Sequence, residues 1–202
     1  MTIRLLLADD QALVRGALAS LLDLEPDMQV VAEVGRGDEV IPAAKEHLPD
    51  VALLDVEMPG GDGIATTREL RAAMPGVKVV IVTTFGRPGF LRRALLAGAT
   101  GFVVKDTPAR QLADAVRRVH SGLRVVDPTL AADSLAVGDS PLTTREAEVL
   151  RAAREGGSVS DIARVVFLSE GTVRNHLSSA IGKTDARNRA DAVRVAEENG
   201  WL

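Results

Sequence analysis

The first 121 residues alternate between short apolar runs and longer stretches whose apolar residues recur at helical spacing. Unbroken apolar runs bounded by turns are typical of parallel strands, which helices cover on both faces. The pattern predicts five strands, at 3–8, 29–34, 51–54, 77–82 and 101–104. It predicts helices at 11–24, 37–47, 62–73, 88–98 and 108–121. Five strand–helix units in succession indicate an α/β fold with a doubly wound, five-stranded parallel sheet.

The pattern changes after Gly122. Proline, glycine, aspartate and serine interrupt residues 125–141, which are typical of a linker with room for one short helix. Helical patterns then return at 143–155, 158–166, 170–183 and 188–199. We therefore predict an α/β domain over 1–122, a linker over 123–140 and a small all-α domain over 141–202.

Composition narrows the class of protein. The chain contains no cysteine, which excludes disulfide bonds, thiolate metal sites and cysteine nucleophiles. The apolar run at 3–8 ends at two aspartates and is too short for a signal peptide or a membrane span. We therefore expect a cytoplasmic protein without a membrane partner.

The net charge of the predicted second domain differs from that of the whole chain. The net charge is -4, yet residues 141–202 hold nine basic and nine acidic side chains. Phosphate neutralisation supplies most of the non-specific affinity for DNA. Any binding of nucleic acid by this segment must therefore come from a local face, and one copy should bind weakly.

Charged and hydroxyl-bearing side chains stand directly after the predicted strands. They are Asp9 and Asp10 after the first strand, Asp55 after the third, Thr83 after the fourth and Lys105 after the fifth. Ligands of open parallel sheets bind beyond the carboxyl ends of the strands. We therefore expect three carboxylates, a hydroxyl and an ammonium group to meet at one rim.

Three carboxylates at close range repel one another unless a cation lies between them, and hard oxygen ligands suit Mg²⁺. The backbone carbonyl of Glu57 is a further candidate ligand. Asp55 next to such a cation suits an acceptor for a phosphoryl group, with Thr83 and Lys105 able to contact the phosphoryl oxygens. Simpler interpretations stay open: Asp10 could cap a helix and Lys105 could be a solvated surface residue.

The two aspartates, Asp55 followed by MPGGDG, Thr83 and Lys105 resemble, in this order and spacing, the receiver domain of two-component response regulators. The resemblance covers residues 3–121. It implies a flavodoxin-like sheet in which a sensor histidine kinase phosphorylates Asp55.

The same resemblance implies roles for individual residues. Asp10, Asp55 and the Glu57 carbonyl would bind Mg²⁺, while Asp9 would act mostly through water. Thr83 would contact the phosphoryl group together with Lys105, and Thr83 and Phe102 would form a switch in which the aromatic ring moves inward. Phe102 could equally be an ordinary core residue.

One departure from that family concerns the peptide bond that follows Lys105. Many receivers have a cis proline there, whereas this chain has Asp106. A cis peptide without proline costs about 3 kcal/mol, which disfavours a cis bond between Lys105 and Asp106, although the sequence alone leaves the isomer open.

The predicted helix at 170–183 has two different faces. Its apolar stripe consists of Val173, Leu177, Ala180 and Ile181. Its opposite face carries Gly171, Arg174, Asn175 and Ser178. Phe167–Ser169 is a three-residue turn after the preceding helix, and Ser169 is a suitable N-cap, which together indicate a helix-turn-helix. A small bundle with a solvated polar face would show the same stripe.

The segments LTTREAEVL, LSEGTVRNHLSSAI and RNRADAV resemble the LuxR-type helix-turn-helix domain. With the receiver, they resemble the NarL/FixJ class of response regulators. This resemblance implies that Arg174, Asn175 and Ser178 face DNA bases and that His176 and Lys183 lie near the DNA backbone. Arg187 and Arg189 are further candidates, unless they pair with nearby acids. Asp185 stands where the family commonly has glycine, and aspartate can adopt the left-handed conformation.

We therefore predict a transcription regulator, not an enzyme, in which phosphorylation of Asp55 promotes homodimerisation and binding to double-stranded promoter DNA. Two half-sites would lie about one DNA turn apart. One alternative is a phosphoaspartate hydrolase of the haloacid dehalogenase type. Another is a phosphorylation-independent DNA-binding regulator whose receiver is a dimerisation scaffold.

Overall fold

The computed structural model describes residues 2–84, 88–127, 130–132 and 140–202. The chain forms two compact units, one built around a sheet and the other built from the last four helices. No helix in the described part of the chain has both the length and the apolar character needed to cross a membrane.

The first unit contains one parallel sheet. Its strands are β1 (Ile3–Ala8), β2 (Met28–Val34), β3 (Val51–Leu54), β4 (Lys78–Thr83), β5 (Gly101–Val104) and β6 (Val125–Val126). The strand order is β2-β1-β3-β4-β5-β6, and every neighbouring pair is parallel. The order reverses at β1, so the space beyond the carboxyl ends of β1 and β3 is the expected ligand position.

In the part of the chain that the structure describes, five segments form helices against this sheet. They are α1 (Ala12–Asp23), α2 (Gly37–His47), α3 (Gly63–Ala73), α4 (Pro88–Ala97) and α5 (Ala109–His120). Alternate residues of each strand point to opposite faces, so that Leu54 packs on the side of α2, α3 and α4 while Leu53 packs on the side of α1 and α5. The predicted doubly wound α/β fold is confirmed, with element ends that shift by about one residue.

The sheet has six strands rather than the five predicted. Val125 and Val126, which were assigned to the linker, pair with Gly101 and Phe102, and the Val125 amide donates to the Thr100 carbonyl at 3.0 Å. A two-residue strand has too few positions to show a periodicity, because its pairing is fixed by the neighbouring strand. The rest of the predicted linker includes 128–129 and 133–139, which lie outside the described residues.

The second unit is all-helical, as predicted. Its helices are α6 (Thr144–Ala153), α7 (Val159–Val166), α8 (Glu170–Lys183) and α9 (Arg189–Glu198). Side chains that accept backbone N–H bonds cap all four helices; the capping residues are Thr143, Ser158, Ser169 and Asn188. These caps satisfy amide groups that have no partner within a helix.

The predicted helix-turn-helix consists of α7, α8 and the short turn between them. Phe167 follows α7 in the left-handed conformation, with φ of 56°, and Ser169 begins α8 by accepting from the Thr172 amide. Val173, Leu177 and Ala180 of the predicted stripe are buried in the core of this unit. The opposite face of α8 therefore points outward.

Candidate functional site

The three predicted acids meet at the carboxyl ends of β1 and β3. One carboxylate oxygen from each of Asp9, Asp10 and Asp55 lies within 4.8 Å of the others, a spacing that could hold a metal ion. Asp9 and Asp55 are buried, at 4% and 5% exposure, whereas Asp10 is exposed. The N-cap of α1 is Gln11, and no side chain caps it, so Asp10 is not used as a helix cap.

Lys105 joins two of these acids. Its Nζ lies 2.7 Å from Asp9 Oδ2 and 2.9 Å from Asp55 Oδ2. All three side chains are less than a tenth exposed. Lys105 is therefore a buried partner of the acid cluster and not a solvated surface residue, and it contacts Asp9 directly.

Burial and charge affect the pKa values of this pair differently. Burial raises the pKa of Asp55 above its ordinary value, and the hydrogen bond from Lys105 works against this while the charge of Asp9 adds to it. Burial works to lower the pKa of Lys105, but hydrogen bonds to Asp55 and Asp9 outweigh it and raise that pKa. Lys105 therefore keeps its charge, and its contact with Asp55 does not fully offset the effect of burying that carboxylate.

The chain around Asp55 holds it firmly. Its amide donates to the Ala8 carbonyl at 2.8 Å, and its Oδ1 accepts from the Val56 amide at 2.7 Å. The first residue of α3 packs directly on this backbone, because a Cβ on Gly63 would lie 1.8 Å from the Asp55 carbonyl oxygen. Glycine is therefore required at position 63 by close approach of the two backbones.

The other predicted receiver residues differ in how far they are exposed to solvent. Thr83 is buried at the end of β4, and its carbonyl accepts from the Lys105 amide at 2.8 Å. Glu57 is exposed in the turn after β3. Phe102 is fully buried and belongs to the core on the side of α2 to α4. The described residues contain no cis peptide, so the bond between Lys105 and Asp106 is trans.

The predicted DNA-facing side chains lie on α8. Arg174, Asn175 and Ser178 are exposed, and His176 is half-buried. Arg174 Nη2 lies 2.7 Å from Glu170 Oε2, one turn earlier on the same helix. The face is accessible, although its arginine already has an acidic neighbour.

Lys183 has a partner that the sequence interpretation missed. Its Nζ lies 2.8 Å from Oε2 of Glu146, which is 4% exposed and also accepts from Ser179 at 2.7 Å. Burial works to raise the pKa of Glu146, but hydrogen bonds from Lys183, the Thr143 backbone and Ser179 lower it to about 2. The T-x-x-E spacing of Thr143 and Glu146 is a capping-box signal that could have marked this acid.

The two further arginine candidates also have local partners. Arg187 Nε lies 3.0 Å from Asp191 Oδ2, and Arg189 Nη1 donates to the Gly157 carbonyl at 2.9 Å. Asp185 has a φ of 50°, so it adopts the left-handed conformation that is open to aspartate.

Comparisons with known proteins cover both units. The family of response regulator receiver domains matches residues 5–117, and the luxR family of bacterial regulatory proteins matches residues 140–196. The uncharacterized transcriptional regulatory protein YvfU of Bacillus subtilis strain 168 is 44% identical over 200 residues, covering 99% of this chain and 100% of that protein. The transcriptional regulatory protein DesR of the same organism is 40% identical, with 99% of each chain covered.

A solved structure supports the same assignment. The response regulator ChrA of a heme-sensing two-component system is 35% identical, with a TM-score of 0.60 over 100% of this chain and 99% of that chain. Both family matches fall on the units that carry the acid cluster and the helix-turn-helix. The chain therefore belongs to the transcriptional response regulators of two-component systems, with a receiver domain followed by a LuxR-type DNA-binding domain.

Proposed function

We propose that Asp55 accepts a phosphoryl group from a sensor histidine kinase in the cytoplasm, and that phosphorylation promotes homodimerisation and promoter binding. The observation that carries this proposal is the cluster itself. Asp55 is buried beside two other acids and within 2.9 Å of a charged lysine, at the expected ligand position of the sheet.

The donor atoms fit Mg²⁺. Asp10, Asp55 and the Glu57 carbonyl are the proposed protein ligands, and Asp9 acts beside them through its contact with Lys105. All of these donors are hard oxygens, which Mg²⁺ prefers together with retained water. When bound, the ion offsets the negative charge of the incoming phosphoryl group.

Phosphoryl transfer then needs little covalent chemistry from the chain. An Asp55 carboxylate oxygen forms a bond to phosphorus while the bond from phosphorus to the imidazole nitrogen of the donor breaks, and the nitrogen keeps the electron pair. Lys105 is positioned to exchange a carboxylate oxygen for a phosphoryl oxygen, because its ammonium group already contacts Asp55. The Thr83 hydroxyl is the proposed second donor.

Thr83 and Phe102 form the proposed switch. Thr83 lies in β4 and Phe102 in the adjacent β5, where Ile81 is the register partner of Phe102. The ring of Phe102 is already fully buried, which is the inward position of this switch, and a shift of Thr83 towards the phosphoryl group would favour that position. This switch changes the surface of the receiver near Thr83 and Phe102, and the changed surface promotes homodimerisation.

DNA binding is assigned to α8. We propose that Arg174, Asn175 and Ser178 contact base edges, while His176 and Lys183 lie near the DNA backbone. The exposure of the first three side chains supports this role. The segment has equal numbers of acidic and basic residues, so a dimer that presents two such helices should bind far better than one copy.

Phosphorylation tests this proposal. We expect the full chain, incubated with Mg²⁺ and acetyl phosphate as a small-molecule phosphodonor, to gain the mass of one phosphoryl group on Asp55. Gel filtration should show a larger species after addition of beryllofluoride, a phosphoryl mimic. Asp55→Asn should show neither change. A wild-type chain that gains no mass, or an Asp55→Asn chain that gains the same mass, would contradict the assignment.

A further inference from the structure

Arg15 is not one of the cluster's ligands, yet it contacts the acid cluster through the backbone carbonyl of Asp9. It belongs to α1, and its Nη1 donates to the carbonyl oxygen of Asp9 at 2.5 Å. Its Nε lies 3.7 Å from Glu33 Oε2, and its side chain is only 21% exposed. The charge of Arg15 is therefore partly offset by Glu33, and its hydrogen bond points at the turn that carries Asp9 and Asp10.

The position of the guanidinium group depends on a small neighbour. A Cβ built on Gly35 would lie 3.3 Å from Arg15 Nη1, closer than side chains normally approach. Gly35 follows β2 directly and leaves the space that the arginine uses. The contact between Arg15 and Asp9 is thus set by two separate segments of the chain.

The contact from Arg15 completes the fixation of Asp9. The Asp9 amide donates to the Val34 carbonyl at 3.2 Å, its Oδ1 accepts from the Gln11 amide at 2.9 Å, and its Oδ2 contacts Lys105 at 2.7 Å. Its carbonyl oxygen is held by Arg15. Because the peptide group is planar, fixing this carbonyl also fixes the amide nitrogen and Cα of the next residue, Asp10.

We propose that Arg15 is a positioning residue for the cation site: it holds the Asp9–Asp10 peptide so that the Asp10 carboxylate faces Asp55. Asp10 is the exposed member of the cluster, and its carboxylate would otherwise turn towards water, away from two like charges. Groups that orient metal ligands commonly change metal affinity by ~10-fold to ~100-fold when they are removed. The proposal rests on the proposed function, since it concerns the Mg²⁺ site of the receiver.

The experiment measures Mg²⁺ affinity of the full chain by titration with MgCl₂, followed by the shifts of isotope-labelled backbone amides. Arg15→Met should weaken binding by ~10-fold or more, because the carbonyl loses its donor. Arg15→Lys, which can still donate one hydrogen bond to the carbonyl, should retain affinity better than Arg15→Met. Arg68→Met, the same change at an exposed position of α3, is the matched control and should bind as wild type.

Gly35→Ala provides an independent variant that keeps the arginine. Its Cβ should shift the guanidinium group slightly and weaken Mg²⁺ binding by ~3-fold, less than the ~10-fold expected when the arginine is removed. The same change in the Arg15→Met background should have no further effect, because residues that act through one contact are not additive. Phosphorylation by acetyl phosphate should slow in both single variants at limiting Mg²⁺ and recover at saturating Mg²⁺.

Several outcomes would overturn this role. Wild-type Mg²⁺ affinity in Arg15→Met would reduce Arg15 to a structural residue, and tighter binding would show that only its charge matters. If Arg15→Met does not fold, wild-type Mg²⁺ affinity in Gly35→Ala overturns the inference. A wild-type chain that neither binds Mg²⁺ nor accepts a phosphoryl group refutes the proposed function itself, which is a distinguishable result.

Discussion

Asp55 and Glu146 are both buried acids, and their surroundings shift their pKa values in opposite directions. Burial dominates at Asp55 and raises its pKa. At Glu146 burial also works to raise the pKa, but hydrogen bonds from Lys183, Thr143 and Ser179 outweigh it and lower the pKa to about 2. The neighbours of Glu146 stabilise its ionised form, so Glu146 is a structural acid. The neighbours of Asp55 do not fully stabilise its ionised form, and such a raised pKa is common at functional sites.

This difference predicts an acid-sensitive second unit. Because the folded pKa of Glu146, about 2, lies below its ordinary value of 4.5, its contribution to stability is complete above the ordinary value and is lost as pH falls towards the folded value. Glu146→Gln should lower the free energy of unfolding near neutral pH by about 2 kcal/mol, because hydrogen bonds to a charged group are lost. The variant should then lose less further stability than wild type on acidification.

Trp201 makes this measurement specific. It is the sole tryptophan of the sequence and packs against the core of the second unit, so its fluorescence follows unfolding of that unit. Glu148→Gln is the control, since Glu148 pairs with the exposed Arg145 and should contribute less than ~0.5 kcal/mol. Parallel acid profiles for wild type and Glu146→Gln would contradict the assigned role of Glu146.

Elements with a regular pattern could be predicted from the sequence, and elements fixed by distant contacts could not. The apolar runs of β1 and β3 and the stripe of α8 each carry their own period, and the strand ends placed Asp9, Asp55 and Lys105 together. β6 has only two residues and shows no period. Its existence depends on pairing with β5.

Contacts that long side chains make between different elements could not be predicted from the sequence either. Arg15 reaches from α1 to the Asp9 carbonyl, and Glu146 reaches from α6 to Lys183. Neither contact has a fixed spacing along the chain, so no local pattern predicts it. The capping-box spacing marks Glu146 only as a helix-start residue.

β6 should contribute measurably to the stability of the first unit. Val126 packs against the core cluster that contains Phe102, and its register partner is Phe102 itself. Val126→Asp should destabilise the first unit by about 1–3 kcal/mol, because a charge replaces an apolar side chain next to that core. Leu123→Asp is the control, since Leu123 is 54% exposed.

Circular dichroism during denaturant unfolding should detect this loss. Tryptophan fluorescence of the same samples should stay unchanged, because the first unit contains no tryptophan. Equal stability of the first unit in Val126→Asp and wild type would mean that β6 does not contribute to the receiver fold.

Over the whole molecule, the proposed function makes DNA binding by the second unit depend on the receiver. The DNA-binding segment has no excess of positive charge, and two of its basic residues, Arg174 and Lys183, already lie beside Glu170 and Glu146. Phosphate contacts supply much of the affinity for DNA, so one copy should bind weakly at physiological salt. Phosphorylation of the receiver can therefore control DNA binding by controlling how many copies bind together.

The most direct test is the DNA affinity of the full chain with and without beryllofluoride in the presence of Mg²⁺, measured on a duplex selected from random sequences. We predict that beryllofluoride tightens binding by ~10-fold or more in wild type, because a dimer binds with two helices, and has no effect on Asp55→Asn. Equal affinity of both proteins under both conditions would contradict this account and favour a receiver that acts as a phosphorylation-independent scaffold.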